Sequence, residues 1–599
     1  MATVTEQNIA RGGEFLISES SPADLFIAEE WNEEQRMIYQ TCKDFIETEI
    51  FPNLDKIDSM QNPELVPSLL DKAGELGLLG AAIPEKYGGF GMDFNTSMLI
   101  SETFGSSHAF VVPMLAHSGI GTFPILFYGT DKQKALYLPK LATGELKSAY
   151  CLTEPDAGSD ANAGKTKAVL SKDKKSYILN GQKMWISNAG FADILIVFAK
   201  IEDDKYLSAF IVEKGSDGVT MNEEEKKMGI KGSSTRQIFF NDCKVPMENL
   251  IGERGEGFKI ALNILNIGRI KLGAATVGGS KLAINRSLKY ANERKQFGVP
   301  IGHFGAIKHK LAMMATRTYA CEAAVYRTGH YIEQAIQSFI KEGMEEHAAK
   351  CKAMEEFAIE CAILKVHGSE MLDYSVDEAV QIHGGIGYSS EGPVERGYRD
   401  ARINRIFEGT NEINRLVIID MLIKKAMKGT LDLMTPAMAV QQELTSIPDM
   451  GHNGEDALFA QEKKVLVNLK KTCLMIAGAA MMKLSVKLKD EQEIIMNLAD
   501  ILLEIYVAES LILRVEKLVG IKGTEASKHQ IDMAYIYMHY ALDKVLTASK
   551  EAIYAFAEGD ELRMLLLGLK RFTKIEPYNL KEARRGIAEA LLERNEYCF

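Results

Sequence analysis

Two changes of hydrophobic period divide this chain, and they restrict its architecture more than any other feature. Between about Ala149 and Val245, short runs rich in β-branched and aromatic residues alternate with polar, glycine-rich turns. The runs are Tyr177 to Lys183, Ile194 to Ala199, Leu207 to Glu213 and Gln237 to Phe240. Within the first, Asn180-Gly181 is a strong hairpin signal. On both sides of this stretch the apolar residues recur at helical spacing instead. The pattern predicts a mainly α protein with a small central antiparallel β-domain, a barrel or sandwich, between helical blocks. At 599 residues the chain is too long for one core, so several domains are expected.

Residues 1 to about 30 keep no period and read as an extended or partly ordered arm. From Asn32 to Ile50 the residues Ile38, Cys42, Phe45 and Ile46 mark a helix, and a second runs from about Pro63 to Leu76. More helix is expected over 94–129 and 131–141. Beyond the β stretch, Ile260, Ile264 and Ile267 open a long helix reaching Tyr290. With helices at about 303–340, 345–378 and 409–427 it makes a bundle. Thr435 to Gly454 reads as a looser connection, followed by helices at about 457–489, 491–520, 524–557 and 576–593. The expected domains are an arm (1–30), an N-terminal α-domain (31–148), a β-domain (149–250), a C-terminal four-helix bundle (251–430) and an additional α-helical domain (431–599). The last carries no catalytic pairing of its own.

A net charge of -12 without any basic block excludes nucleic acid as a partner. The eight cysteines are scattered with no CxxC pair, which fits a reducing compartment, and the eleven histidines show no ligand spacing, so no metal is expected. No basic and apolar leader opens the sequence, and the apolar run from Cys473 to Met482 is too short to span a bilayer. A soluble, cytoplasmic protein is expected.

Chemistry gathers at five places. In Arg405 to Arg415, Glu408 sits between the apolar pair Ile406-Phe407 and a Gly409-Thr410-Asn411 turn that opens a helix. Apolar neighbours raise the pKa of a buried Glu, the condition for a general base. Alone it reads sooner as an ordinary acid beside a helix N-terminus, stabilised by the dipole. Tyr150 to Asp160 is a loop of small residues and hydroxyls able to approach a planar or phosphorylated ligand. Trp185 precedes Ile186, Ser187 and Asn188, and alone reads as a core residue. Glu293 to Gly298 ends a helix in Arg294, a guanidinium suited to a pyrophosphate. Gln381 to Tyr388 is a glycine-rich turn, weak evidence when taken singly.

In this order and spacing the five resemble the acyl-CoA dehydrogenase family over roughly residues 35 to 425. Cys151 to Ala163 looks like that family's first signature and Gln381 to Asp400 like its second. The helices after 430 are similar in placement to the extension of very-long-chain members. The resemblance implies FAD held by Tyr150, Leu152, Thr153, Gly158, Ser159, Trp185, Ile186 and Ser187, together with Thr410, Asn411 and Glu412. It implies that Arg294, Gln296, Phe297, Phe304, Gln381, Ile382, Gly384 and Gly385 serve the FAD of a neighbouring subunit, so a homo-oligomer, a dimer, is expected. Glu408 would be the base, with Ser159, Asn266, Arg269 and Gly409 at the acyl-CoA substrate.

Some members carry the base on the earlier long helix, one residue before an arginine. Here that position is Gly268, before Arg269, so no carboxylate competes. Asn266 replaces an Asp found near CoA in medium-chain members. Val112 and Ala116 stand where those members close the acyl pocket with Gln and Glu, which implies a deeper cavity and long acyl chains. The implied reaction is α,β-dehydrogenation of a fatty acyl-CoA to the trans-2-enoyl-CoA, the first step of β-oxidation, with electron-transfer flavoprotein as acceptor. Two alternatives stand beside it: an acyl-CoA oxidase using oxygen, and a non-catalytic assembly protein on the same fold. Leu431 to Ile447 is mildly amphipathic, so peripheral membrane contact is weighed against a joining loop.

Overall fold

Asn32 sets the first helix. Its Oδ1 accepts from the Gln35 N–H at 2.8 Å, while Gln35 Oε1 accepts from the Asn32 N–H at 3.1 Å, a reciprocal box that fixes the start of α1 (Glu33–Phe45). The computed structural model describes residues 9–446 and 457–599. α2 (Leu65–Glu75), α3 (Phe94–Phe104) and α4 (Asp131–Thr143) follow. Between α3 and α4 runs an irregular helix, His108–Tyr128, whose middle, Ala116–Gly121, winds as a π-helix, a device frequent at functional sites.

The β-domain has eight strands: β1 (Ser148–Cys151), β2 (Lys167–Leu170), β3 (Ser176–Ser187), β4 (Ile194–Ile201), β5 (Ser208–Glu213), β6 (Val219–Met221), β7 (Thr235–Pro246) and β8 (Leu250–Ile251). Their order is β6-β7-β3-β2-β4-β5-β8, with β1 also on β4. Two pairings depart from the antiparallel expectation: β1 and β2 both run parallel to β4. Asn180-Gly181 does not turn the chain. Both residues lie inside β3, where the register against β7 shifts between Leu179 and Gly181. A Cβ on Gly181 would lie 2.5 Å from Thr166 Oγ1 and 2.7 Å from its Cα, so the glycine marks a bulge with close backbone approach.

The bundle consists of α5 (Gly257–Glu293), α6 (Gly305–Lys341), α7 (Ala358–His383) and α8 (Asn411–Met427). The single helix expected over 345–378 is instead Glu346–Glu356 followed by α7, broken at the buried Phe357. Glycines bring α5 and α7 together: a Cβ on Gly368 would lie 3.2 Å from Gly273 Cα.

Past the bundle, the connection expected to be loose contains a helix, α9 (Met434–Thr445), while 447–456 lies outside the described residues, as does Ile447 at the end of the amphipathic stretch. α10 (Ala460–Leu484), α11 (Gln492–Lys522), α12 (Lys528–Phe556), α13 (Gly559–Phe572) and α14 (Leu580–Arg594) complete the chain. α13 was not expected; Leu565, Leu569 and Phe572 bury one of its faces. One hydrophobic cluster runs through the bundle and this block.

The described part of the arm, from residue 9, is docked rather than loose. Phe15 packs on Tyr506 with ring centroids 4.8 Å apart, and the Gly13 N–H donates to Glu360 Oε1 at 2.6 Å. Contrary to expectation, among the described residues three helical stretches (His108–Tyr128, Gly257–Glu293 and Ala460–Asp490) are long and apolar enough to cross a membrane. More than half of each apolar window is buried inside the protein.

Candidate active site

The chain leaves a 3-10 turn, Arg402–Arg405, and reaches Glu408 at φ 59° and Gly409 at φ 83° before Thr410 caps α8. A left-handed non-glycine residue persists only where its surroundings hold it. Here they do. Asn414 Nδ2 donates to the carbonyls of Glu408, Gly409 and Thr410 at 3.3, 2.8 and 3.0 Å. Arg269 Nε donates to the Glu408 carbonyl at 3.2 Å. The Glu408 side chain is thereby aimed at α5, where Gly268 makes room for it. A Cβ on Gly268 would lie 2.8 Å from Glu408 Oε2.

Glu408 Oε2 is buried and bonded to nothing. Burial raises the carboxyl pKa to about 7, against the lowering pull of Arg269 and Lys365. Tyr150 faces the same space. Its hydroxyl is also buried without a partner, and burial with the nearby Glu408 charge pushes its pKa well up.

Glu408 opens on a cavity of about 440 Å³. α5 lines it with Gly268, Leu272, Ala275, Gly279, Ala283 and Arg286, one face at helical spacing over roughly 27 Å. Opposite stand Val112, Leu115, Ala116 and Ile120, so both positions singled out for the acyl pocket reach it.

From the β-domain the cavity collects Tyr150, Leu152, Thr153, Gly158, Ser159, Trp185, Ile186 and Ser187, and from the helices Arg269, Glu408 and Gly409. Trp185 is no core residue: it is 53% exposed with φ 60° at the cavity wall. Buried Lys183 fixes the first loop by donating to the Leu152 carbonyl at 3.2 Å and to Glu154 Oε1 at 2.6 Å.

The remaining expected residues lie off the cavity. Arg294, Gln296 and Phe297 are exposed beyond the end of α5, Phe297 at 94%, and Phe304 is half-buried with its ring 6.0 Å from that of Phe297. Gln381 and buried Ile382 are the last turn of α7, and Gly384 and Gly385 are open, with nothing within 4 Å of a Cβ on either. Asn266 points inward, its Oδ1 accepting from Arg269 Nη1 at 2.9 Å. Thr410 is engaged in its cap and Glu412 is exposed at the start of α8.

Asn411 belongs to a network that sequence patterns did not reveal. Its Oδ1 accepts from Lys365 Nζ at 2.7 Å and its Nδ2 donates to Glu370 Oε1 at 3.0 Å. Glu370 receives Arg415 through two bonds of 2.9 and 3.1 Å, and Arg415 Nε donates at 2.7 Å to Asp500 of α11. Such side chains read as ordinary helix surface, because the spacing that joins them is tertiary.

The residues beside this cavity fit a flavin. The hydroxyls of Thr153 and Ser187, an indole face and the orphaned Tyr150 hydroxyl surround one space, and a Cβ on Gly158 would meet nothing within 4 Å. The architecture is that of the acyl-CoA dehydrogenases, and the chain belongs to that family. Its N-terminal domain matches residues 32–145, its middle domain 149–243 and its C-terminal domain 255–423, with a further C-terminal domain of the family over 468–571. The protein is an oxidoreductase that dehydrogenates acyl-CoA, with FAD as its cofactor.

Among relatives, a probable acyl-CoA dehydrogenase of Bacillus subtilis (strain 168) is 45% identical over 590 residues, 98% of this chain and 99% of its own. A crystal structure of an acyl-CoA dehydrogenase complexed with FAD, from Bacillus anthracis, is 46% identical with a TM-score of 0.95, covering 98% of this chain and 100% of that one. The mitochondrial very long-chain specific acyl-CoA dehydrogenase of Rattus norvegicus is 41% identical over 386 residues, 63% of this chain and 55% of its own length.

Proposed function

We propose that this chain oxidises long-chain saturated acyl-CoA thioesters to trans-2-enoyl-CoA, as the first step of fatty-acid β-oxidation, and passes the electrons to an electron-transfer flavoprotein. The observation that carries the chemistry is the unpartnered Glu408 carboxyl, raised to about 7 and aimed into the cavity. Bound FAD supplies the acceptor for the hydride that leaves the β carbon. Glu408 takes the α proton. Its backbone N–H has no acceptor among the described residues and is free to donate to the thioester carbonyl, stabilising the charge that builds there. Arg269 and Asn414 keep that N–H and carboxylate in one orientation. Thr153, Trp185 and Ser187 would hold the flavin ring, and the buried Lys183–Glu154 pair ties the loop of Thr153 to the strand that carries the other two. Asn411, already bonded to Lys365 and Glu370, positions α8 instead.

The long apolar face of α5 and the small side chains of Val112 and Ala116 support long acyl chains. Anaerobic titration of the yellow protein with saturated acyl-CoA of increasing length tests this. Palmitoyl-CoA is expected to bleach the flavin, and a sharp optimum at short chains would sink the length assignment. Slow reoxidation in air after bleaching favours the flavoprotein acceptor over an oxidase, whose mark is rapid peroxide formation.

The exposed Arg294, Gln296, Phe297, Gln381, Gly384 and Gly385, remote from their own cavity, suit the FAD of a second copy. A dimer is expected by sedimentation of the holo-protein. A holo-monomer that keeps its flavin would refute the shared site.

A further inference from the structure

Lys271 takes no part in the chemistry above, yet it stands in the wall of the same cavity. It follows Gly268 by three residues of α5, about 4.5 Å along the axis, and is only 6% exposed. Among the described residues its ammonium has no hydrogen-bonding or charged partner; its one contact is the Phe123 ring, 4.8 Å from the ring centre. Burial with no counter-charge brings its pKa down to about 8. Its stem passes Gly119, where a Cβ would lie 3.9 Å from Lys271 Cδ.

Lys271 and Ile267 also border a side cavity of about 50 Å³ that Phe123 and Ser97 help to line. The acids on that side are already engaged. Asp93 Oδ1 accepts from the Thr96 N–H at 2.6 Å, and Glu333 Oε2 accepts from the Phe94 N–H at 3.1 Å. Lys350, on the same cavity, pairs with Glu346 at 2.6 Å. A desolvated cation is stable only when an anion or acceptor meets it. A saturated hydrocarbon tail offers neither. A carboxylate on the tail offers both.

We propose that Lys271 determines specificity by receiving the terminal carboxylate of dicarboxylic acyl-CoA substrates at the junction of the two cavities. The enzyme then acts on ω-carboxyacyl-CoA as well as on plain acyl chains. This rests on the reading of Glu408 and its cavity given above. The proximity of Lys271 to Gly268 places the pairing with diacids of medium length, and longer plain chains continue along α5.

The test compares kcat/KM of the holoenzyme for suberyl-CoA, octanoyl-CoA and palmitoyl-CoA. Lys271→Met is expected to lower the value for suberyl-CoA by at least about tenfold, through KM. The two plain substrates are expected to change by less than about threefold, because they make no pair to lose. Lys271→Arg, which keeps the charge, is expected to retain most suberyl-CoA turnover and decides the matter if the Met variant loses its flavin. Wild-type enzyme that ignores suberyl-CoA while oxidising octanoyl-CoA overturns the proposal, as does an equal loss on all three substrates in Lys271→Met. Failure of wild type on every substrate would instead refute the underlying reading.

Discussion

Glu408→Gln is expected to give a yellow protein that still binds acyl-CoA but is no longer bleached by it. The amide keeps the shape of the carboxyl and loses the lone pair that accepts the α proton. General-base catalysis of this kind is worth up to about 10⁴-fold, so the rate of flavin reduction should fall by at least about 10³-fold. In the wild type that rate should climb about tenfold per pH unit below pH 7 and level off above it, since only the ionised carboxylate works. An unchanged bleaching rate in the variant would remove Glu408 from the chemistry.

The same substitution has a thermodynamic signature. Burial moves the Glu408 pKa from 4.5 to about 7, so between those values the folded protein holds a proton that the unfolded chain has released. Stability therefore declines as pH rises through that window, by an amount on the order of 3 kcal/mol once pH exceeds about 7. Glu408→Gln removes that decline. The apo variant should melt above the apo wild type at neutral and alkaline pH, and the two should converge below about pH 4.5.

Gly268→Val is the second large effect. Even a first side-chain carbon at this position would press on the carboxylate, whose Oε2 is 2.8 Å from the ideal Cβ site. Valine adds two methyls, so Glu408 must leave its place between α5 and the cavity. A displacement of about 1 Å at a reacting group can lower the rate about 10²-fold. The reductive half-reaction, followed by stopped flow without oxygen, should show that loss while flavin content stays at the wild-type level. If the rate holds, the Glu408 rotamer is not the reactive one. The same contact means that the carboxylate just before α8 can keep this place only opposite a residue lacking a side chain on α5.

Much of this was readable from sequence, and the reasons are local. The helical period around Ile260, Ile264 and Ile267 comes from one face of α5 packing inward, and α5 forms where that period begins. Thr410 after Gly409 announced a cap, and the hydroxyl makes it. Asn180-Gly181 misled because its backbone freedom serves a bulge as well as a turn, and β7 alongside decides which. α13 escaped notice because its buried residues follow α12 after only a short break at Ala557 and Glu558. Within the site, Glu408 and Gly268 could be found by motif. Lys365, Asn414 and Lys271 could not, since each is an ordinary helical residue until the fold decides what stands opposite.

Arg415 is shared between Glu370 of the bundle and Asp500 of α11. Glu370 also holds Asn411, which meets Lys365, one of the two cations that pull down the Glu408 pKa. A chain cut at residue 430 would keep every motif described above and still lose the carboxylate that holds Arg415 from the far side. The terminal helices thus brace from behind the network that holds Lys365 beside Glu408, and a shortened protein would be a looser scaffold, not a smaller copy.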